Sequence, residues 1–265
     1  MAVPKVNILG TEIAALNLPA AREATIARAL SGQGGYICVT GAHGVIEARD
    51  DASFRRILNG SVFNTPDGMP NVWMGRHFHG VETMDRVYGP DLMREVIDLG
   101  RERGLRHFLF GGKEGVSERL RNALRERFPG VEISGIYTPP FRPLNGEEAA
   151  EFNRAIDAAD PHLIWIGLST PKQERFMAEW APRLPGRLMI GVGAAFDFHA
   201  GLVSSAPPVL QRAGLEWLYR LVTEPRRLWP RYSRIVPRFL WGALGQVTGP
   251  RQDPHDDSTG TSPEP

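Results

Sequence analysis

Several features that define other classes of protein are missing from this 265-residue chain. The one cysteine, Cys38, excludes an internal disulfide bond and a cysteine-rich metal site, and its apolar neighbours predict a buried structural thiol. No apolar run reaches the length of about 18 residues that a membrane-spanning helix needs, and no segment near the start is typical of a signal peptide. The net charge is only +1, so no nucleic-acid partner is expected. These absences predict a cytoplasmic protein.

Common catalytic motifs are missing as well. The chain has neither the Gly-x-Ser-x-Gly elbow of hydrolases nor the glycine-rich phosphate loop that ends in Lys-Ser or Lys-Thr. No cluster of His, Asp and Glu has convincing metal-ligand spacing, because Asp197 and His199 form only a weak pair. The sequence therefore predicts no metal site and no cofactor.

What the chain does contain is an alternation of short apolar runs and longer amphipathic runs, from Tyr36 to about Val203. Strands are predicted over Tyr36–Thr40, Ser61–Phe63, Arg106–Phe110, Val131–Tyr137, His162–Ile166 and Arg187–Ile190. Helices are predicted over Pro90–Arg103, Gly115–Arg127, Gly146–Ala159 and Pro171–Ala181, with a further helical stretch from Asn71 to Arg76. This alternation is typical of an α/β, Rossmann-like fold, in which a mostly parallel sheet carries helices on both faces.

A change in composition after Gly201 divides the chain. We predict an α/β domain over residues 1–210, a basic and aromatic C-terminal appendage over 211–248 and a disordered tail over 249–265. Apolar residues of the appendage follow helical spacing, while Pro225, Pro230 and Pro237 predict that it is broken into short helical pieces. Its arginines and aromatic residues are Arg220, Arg226, Arg227, Arg231, Arg234, Arg238, Trp217, Tyr219, Trp229, Tyr232, Phe239 and Trp241.

Small residues cluster where several predicted strands end. They include Gly111 and Gly112 after one strand, Gly167 after a second, and Gly191 and Gly193 after a third. The carboxyl ends of parallel strands form the ligand-binding edge of an open α/β sheet, and small residues there let the backbone approach a phosphate or a sugar. Another strand ends at Thr40, whose hydroxyl could contact a substrate. The pattern predicts an enzyme that acts on a nucleotide-like ligand.

Three elements at these strand ends have two interpretations each. Asp67, in Thr-Pro-Asp-Gly-Met, is either a turn or N-cap residue or a general base that deprotonates an acceptor hydroxyl. Gln173 and Glu174, at the start of a helix, either face a ligand or belong to a capped surface helix. Residues 191–196 resemble half of a dinucleotide-binding motif with Phe196 in place of the third glycine, which leaves a nucleotide-cofactor oxidoreductase as an alternative.

Taken together, these runs resemble the WecG/TagA/CpsF glycosyltransferase family. The matching segments are residues 65–69, 86–92, 110–113, 167–174, 191–197 and 215–227, in which Pro-Lys-Gln-Glu and Glu-Trp-Leu-Tyr-Arg-Leu are specific. The resemblance implies an inverting, metal-independent hexosyltransferase. It would move a hexose, or an N-acetylhexosamine such as N-acetylmannosamine (ManNAc), from a UDP-sugar to a polyprenyl-diphosphate-linked saccharide. It also implies a peripheral protein on the inner face of the cell membrane that takes part in the synthesis of bacterial cell-surface polysaccharides.

The resemblance assigns roles to particular residues. Asp67 falls on the family's proposed base, and Gln173 falls near its substrate site. The C-terminal appendage of the family closes over the site and supplies arginines for the diphosphate, for which the candidates are Arg220, Arg226, Arg227 and Arg231. Two departures weigh against a ManNAc donor and favour an exopolysaccharide branch that transfers glucose or another hexose. The segment that begins at Thr40 lacks the Asn of Thr-x-Asn, and Arg-Val-Tyr-Gly-Pro replaces the commoner Arg-Val-Thr-Gly-Ser.

The appendage leaves further alternatives open. Its basic and aromatic residues could dock on anionic lipid headgroups, or they could pack on the domain with their arginines solvated. A non-catalytic peripheral membrane scaffold for polysaccharide assembly is therefore another alternative to the transferase. The chain could also form an oligomer.

Overall fold

The computed structural model describes residues 3–203, 206–207, 209–210 and 215–249, except for the side chains of Glu216, Arg220 and Arg227. Among these residues, strands β1 to β8 cover Lys5–Ile8, Thr11–Ala14, Gly35–Thr40, Phe63–Pro66, Arg106–Gly111, Glu132–Tyr137, Leu163–Gly167 and Leu188–Gly191. Helices α1 to α11 cover Leu18–Leu30, Ala42–Asp50, Ala52–Asn59, Met69–Trp73, Gly89–Glu102, Val116–Arg127, Gly146–Ala159, Lys172–Trp180, Ala195–His199, Glu216–Thr223 and Pro225–Thr248. A π-helical turn, Met74–Phe78, extends α4, and a 3-10 turn, Ala181–Arg183, extends α8.

Six of the strands form one sheet in the order β4-β3-β8-β7-β5-β6, and every neighbouring pair in it is parallel. The first two strands form a separate antiparallel hairpin. Because all six sheet strands run in the same direction, their carboxyl ends meet at one edge. The predicted α/β, Rossmann-like fold is confirmed.

Alternate residues of the central strands pack into two different cores. Ile37 and Trp165 belong to the core that α1, α5 and α6 cover. Cys38 and Ile164, one position away, belong to the core that α3, α7 and α8 cover on the other face. Since both faces of the sheet are buried, its strands are nearly continuous apolar runs, and this made them recognisable in the sequence.

Most predicted element boundaries agree with the structure to within one residue. Two predicted elements differ by more. The strand β4 starts at the last residue of the predicted strand Ser61–Phe63 and continues for three more. The predicted helical stretch Asn71–Arg76 is extended by two residues at each end in α4 and its π-helical turn. The added part of β4 is polar, yet Asn64 is fully buried. Its side-chain Nδ2 donates to the carbonyl oxygens of Glu12 and Leu58 over 2.8 and 2.9 Å, so buried backbone groups stabilise a polar strand.

Several elements are additions to the predicted set. They are the hairpin of β1 and β2 and the helices α1, α2, α3 and α9. Both hairpin strands are only four residues long, and α9 has five residues, so their apolar patterns are too short to stand out. The hairpin contributes to a third core, on which the C-terminal helix packs.

The long C-terminal helix α11 corrects the prediction that prolines divide the appendage into short pieces. It runs for 24 residues with Pro230 and Pro237 inside it. A proline in a helix interior costs about 3 kcal/mol. Burial of Leu228, Ile235 and Phe239 offsets this cost, since each such side chain contributes about 1.5–3 kcal/mol when it is removed from water. Tertiary packing therefore overrides the local preference of the prolines.

The face of α11 that carries Ile235 and Phe239 packs on a core formed by the β1–β2 hairpin, α2 and the segment around Met74 and Met84. Polar contacts reinforce this packing in the middle of the helix and near its C-terminal end. Arg234 and Arg238 both bind the carboxylate of Asp50 at the end of α2. Further along, the side chain of Gln246 accepts from the backbone N–H of Leu9 and donates to the carbonyl oxygen of Asn7 over 2.9 and 2.7 Å. The appendage is thus attached to the sheet domain through α2 and the β1–β2 hairpin.

No helix in the described part of the chain is both long enough and apolar enough to cross a bilayer.

Candidate active site

The small-residue segments that the sequence singled out meet at the carboxyl edge of the sheet. Pairing between strands aligns Thr40 with Pro66 at the ends of β3 and β4. It also aligns Gly111 with Gly167 at the ends of β5 and β7, and Ile166 with Gly191 at the ends of β7 and β8. Segments that are far apart in the sequence therefore form one continuous edge, which is where an open α/β sheet binds its ligand.

Asp67 lies at this edge immediately after β4. Its backbone N–H donates to the carbonyl oxygens of Thr40 and Thr65 over 3.1 and 2.9 Å. Gly41 leaves room for it, because a Cβ atom at that position would lie 3.1 Å from the carbonyl oxygen of Asp67 and 3.8 Å from its Oδ2. The N-cap of the following helix is Gly68, which has no side-chain capping bond. The N-cap interpretation of Asp67 is therefore wrong, and its half-buried carboxylate lies in the turn before α4.

Thr40 supports Asp67 through its backbone. Its carbonyl oxygen accepts the N–H of Asp67 and also Nδ2 of Asn71, the latter over 2.8 Å. Its hydroxyl donates to Oδ1 of Asn64 over 3.2 Å and is turned into the protein. In this structure Thr40 positions the turn of Asp67, and its contact with a substrate stays a prediction.

Asn71, which the sequence analysis did not single out, is fully buried next to this turn. While its Nδ2 holds the carbonyl oxygen of Thr40, its Oδ1 has no hydrogen-bond partner among the residues that the structure describes. Its position in a short helix after an Asp-Gly pair gave no signal, because Asn is also common in turns. Asn71 is therefore a second polar group beside Asp67.

The segment around Arg86 also borders Asp67 and was not among the predicted site residues. The backbone N–H of Val87 donates to the carbonyl oxygen of Pro66 over 3.0 Å, which brings this segment to the end of β4. The guanidinium of Arg86 lies 4.2 Å from the centre of the Tyr88 ring, a cation–π arrangement. The only indication in the sequence that Arg86 belongs to the site was its position in the segment Arg-Val-Tyr-Gly-Pro.

The predicted glycines allow the strand ends to pack closely. A Cβ atom on Gly111, whose φ is +127°, would lie 2.7 Å from the backbone of Gly167. A Cβ atom on Gly191 would lie 2.9–3.0 Å from the side chains of Gln173 and Met177. A larger residue at Gly111 would therefore push the ends of β5 and β7 apart, and one at Gly191 would displace side chains of α8.

Two backbone amides at this edge already have acceptors within the protein. The N–H of Gly112 donates to the carbonyl oxygen of Gly167 over 3.1 Å, and that of Gly193 donates to Oε1 of Gln173 over 3.1 Å. Gly111, Gly112, Gly191 and Gly193 stay predicted ligand contacts. Since the amides of Gly112 and Gly193 already have acceptors, a ligand would contact these glycines through close approach of the backbone and not through donation by these two amides. Gly112 also lines an open cavity of about 630 Å³ beyond β5 and β6.

Gln173 and Glu174 are buried at the start of α8, so the interpretation of a capped surface helix is wrong for both. Lys172, next to them, is exposed. Oε1 of Glu174 accepts from Nε2 of Gln173 over 3.0 Å and from the hydroxyl of Thr170 over 2.8 Å. Burial raises the pKa of the Glu174 carboxyl above its ordinary value. The Gln173 side chain thus faces the turn of Gly193.

The dinucleotide-like segment, residues 191–196, begins at the last residue of β8 and continues into the following turn. Phe196 is buried beneath Gly167, where a Cβ atom would lie 2.5 Å from its ring. A dinucleotide motif needs an open glycine turn in front of a helix that faces the pyrophosphate. Here the amide of Gly193 is engaged and α9 has only five residues, so the oxidoreductase alternative loses its structural basis.

Among the appendage arginines, Arg231 and Arg234 on α11 carry charges that act on His43 of α2. The helix α2 begins at Ala42, directly after Gly41, and His43 is its second residue. The pKa of His43 is lowered first by burial and next by the positive charge of Arg231. Arg226 is exposed on α11, and no described contact places it at the edge. The side chains of Arg220 and Arg227 lie outside the described residues. Within the described ranges, no group of three or more His, Cys, Asp or Glu side chains could hold a metal ion.

The comparison with protein families agrees with this arrangement. The model of the Glycosyl transferase WecG/TagA/CpsF family matches residues 6–253, which includes the sheet domain and the appendage. Proteins of this family are glycosyltransferases of cell-surface polysaccharide synthesis. Since the match spans nearly the whole chain, this protein belongs to the WecG/TagA/CpsF glycosyltransferase family.

Proposed function

We propose that this chain is an inverting glycosyltransferase that moves a sugar from a UDP-sugar to a polyprenyl-diphosphate-linked saccharide, with Asp67 as the general base. The observation that carries the proposal is the position of Asp67. Its half-buried carboxylate lies at the carboxyl edge of the sheet, and its backbone is fixed to the end of the neighbouring strand through Thr40. A carboxylate that is partly desolvated and held in this way suits proton abstraction.

The reaction is a single displacement. The acceptor hydroxyl attacks the anomeric carbon of the donor, and its proton passes to the carboxylate of Asp67. The bond between the anomeric carbon and the diphosphate oxygen breaks, and UDP leaves with the electron pair. The configuration at the anomeric carbon is inverted because the nucleophile and the leaving group lie on opposite faces of the sugar.

The departing diphosphate needs positive charge in a metal-independent reaction. Of the two candidates whose side chains the structure describes, Arg226 and Arg231, the second is better supported, since its charge acts on His43 in the helix that follows β3. A guanidinium binds two phosphate oxygens at once and keeps its charge throughout the reaction. Arg220, Arg226 and Arg227 are further candidates for the diphosphate.

The donor is proposed to be UDP-glucose or another UDP-hexose. The absence of Asn after Thr40-Gly, and the Arg-Val-Tyr-Gly-Pro segment, weigh against UDP-ManNAc. Arg86 and Tyr88 of that segment lie beside the end of β4, so this difference in sequence falls next to Asp67.

We place the protein on the inner face of the cell membrane, where a lipid-linked acceptor would be found. One face of the appendage is buried on the domain, whereas Val222 on α10 and Trp229, Leu240 and Trp241 on α11 are each more than 60% exposed. Aromatic and aliphatic side chains next to arginines suit the surface of an anionic bilayer, where each basic residue contributes about 1 kcal/mol.

The test of the proposed function is UDP release across a panel of UDP-sugars, in the presence of EDTA. The acceptor is a polyprenyl diphosphate that carries glucose or N-acetylglucosamine. We expect acceptor-dependent UDP release with one hexose donor, unchanged by EDTA. Folded protein that releases no UDP with any donor would contradict the proposal.

The exposed apolar face of the appendage favours one other function, a non-catalytic membrane scaffold for polysaccharide assembly. A scaffold would bind anionic vesicles and release no UDP. The same assay, with vesicle binding measured in parallel, separates the two functions.

A further inference from the structure

A buried carboxyl group that the proposed mechanism does not use lies in the helix that follows β7, and two strands separate β7 from β4, the strand before Asp67. Glu174, in the first turn of α8, has only 2% of its surface exposed. Burial of a carboxyl group is unfavourable unless partners compensate for the lost water. Oε1 has two donors, the hydroxyl of Thr170 and Nε2 of Gln173, but Oε2 has none among the described residues. Such a group is not needed to start a helix, since α8 has no side-chain cap.

The contact from Glu174 determines how the amide of Gln173 is turned. An amide side chain has donors on its nitrogen and only acceptors on its oxygen. Since Oε1 of Glu174 accepts from Nε2, the oxygen of Gln173 must point the other way, where it accepts the N–H of Gly193 over 3.1 Å. If the amide were reversed, two oxygens would face each other at Glu174 and two N–H donors would face each other at Gly193.

The acceptor at Gln173 helps to hold the turn that joins β8 to α9, and it is the shorter of two contacts to the N–H of Gly193, since the carbonyl oxygen of Ile166 lies 3.4 Å from the same nitrogen. Gly193 has a φ of +52°, and a Cβ atom there would lie 3.2 Å from the carbonyl oxygen of Leu168. The turn therefore lies against the end of β7 and forms part of the carboxyl edge. Glu174, Gln173 and Gly193 form one chain of hydrogen bonds from the interior to this edge.

We propose that Glu174 is a positioning residue that fixes the turn of Gly193 through the amide of Gln173, and thereby shapes the donor side of the site. The effect on turnover rests on the proposed function. Glu174 does not touch the substrate. Gln173 also acts indirectly, because both of its polar atoms are engaged inside the protein and only 3% of its surface is exposed.

The neutral form of the carboxyl group is sufficient for this role. Burial raises the pKa of Glu174, against the opposing effect of its hydrogen bonds with Gln173 and Thr170. A neutral carboxyl keeps an acceptor at Oε1, and so does the amide of a glutamine. Glu174→Gln therefore retains the acceptor, whereas Glu174→Met fills a similar volume with an equally good helix former and has no acceptor.

The first experiment is amide hydrogen exchange of residues 191–195 in the free full-length chain. We expect Glu174→Met to accelerate exchange at Gly193 about tenfold, the effect of one lost hydrogen bond. Glu174→Gln should stay within about twofold of the wild type by the same reasoning. Unchanged exchange in Glu174→Met would overturn the proposal. The measurement needs no substrate, so a chain that turns over no UDP-sugar still tests the role of Glu174 while it rejects the proposed function.

A double-mutant cycle tests whether Glu174 acts through Gln173. If it does, Gln173→Ala and the double variant Gln173→Ala/Glu174→Met exchange at the same rate at Gly193. Additive effects would overturn the proposal. With an active donor, we expect Glu174→Met to raise the KM for the donor by about tenfold and to change kcat less, with rescue by Glu174→Gln. A variant that merely unfolds in part would lose kcat at constant KM.

Discussion

The backbone N–H of Asp67 donates to the carbonyl oxygen of Thr40 over 3.1 Å, so the ends of two neighbouring strands fix the turn that carries the carboxylate. Because this contact uses only backbone atoms, a change of the Asp67 side chain leaves it in place. The chemistry of the carboxylate can therefore be tested separately from the fold.

We expect Asp67→Asn to lower kcat by about 10²- to 10⁴-fold, the usual contribution of a general base. The amide has the same shape but cannot accept the proton of the acceptor hydroxyl. Binding of the UDP-sugar, measured by calorimetry, should change little. Asp157→Asn, at an exposed position on α7, is the matched control and should keep full activity. An Asp67→Asn protein that binds donor and keeps full turnover would remove Asp67 from this role.

The elements that could be predicted from the sequence are those with a hydrophobic pattern that extends over many consecutive residues. Strands such as β3 and β7 are buried on both faces, so their apolar runs stand out. The strand β4 was misplaced because buried Asn64 is polar, and its burial is favourable only through tertiary contacts with the carbonyl groups of Glu12 and Leu58. The helix α11 was misjudged because the packing of Ile235 and Phe239 outweighs its two internal prolines.

The candidate site was also predictable only in part. Strand ends with small residues identified the edge, because parallel strands must bring their carboxyl ends together. The orientation of Thr40 and Gln173 could not be predicted, because it depends on Asn64 and Gly193, which lie in other parts of the sheet edge. The orientation of Glu174 depends in turn on that of Gln173. Whether the amide of Gly193 faces a ligand or Gln173 is likewise decided by tertiary contacts.

The proximity of Arg231 to His43 gives a second prediction that needs no substrate. The charge of Arg231 lowers the pKa of His43, as does Arg234, while burial is the largest cause and Glu47 opposes it. Removal of the nearby positive charge should favour the protonated ring. We therefore expect Arg231→Ala to raise the pKa of His43, measured by NMR titration of the imidazole.

The same variant should impair the reaction if Arg231 binds the diphosphate. We expect UDP to bind at least about tenfold more weakly to Arg231→Ala, because a charge-assisted contact to phosphate is lost. Arg154→Ala, at an exposed position on α7, is the matched control. Unaltered UDP affinity together with a raised His43 pKa would place Arg231 near the edge but outside the diphosphate site.

The contacts of Asp50 with Arg234 and Arg238 predict that acid weakens the attachment of α11. The hydrogen bond from Arg238 is the largest cause that holds the pKa of Asp50 below its ordinary value of 3.8. A carboxyl with a lowered pKa in the folded state stabilises the protein above its unfolded pKa, and this contribution is lost as the pH falls through the lowered value. We expect Asp50→Asn to lower Tm at pH 7.

The difference in Tm between the wild type and Asp50→Asn should shrink below about pH 4 and vanish at lower pH, since the wild-type carboxyl is then neutral as well. The comparison isolates Asp50 from other carboxyl groups that titrate in the same range. A difference that persists at low pH would mean that the ion pairs do not account for the effect of the substitution.

The exposed face of the appendage predicts where the protein meets the membrane. Trp229 and Trp241 on α11 are 63% and 75% exposed, so their replacement by serine should leave the fold stable. We expect Trp229→Ser/Trp241→Ser to bind anionic vesicles at least about tenfold more weakly, because interfacial tryptophans lose their apolar contact with the headgroup region. Binding of the wild type should also weaken with added salt, because salt screens the attraction between the arginines and the anionic lipids.

Phe141→Ser is the matched control, since Phe141 is 85% exposed but lies outside the appendage. Equal vesicle binding by all three proteins would show that this face does not contact the membrane, and the arginines alone would then have to account for any attraction to the bilayer.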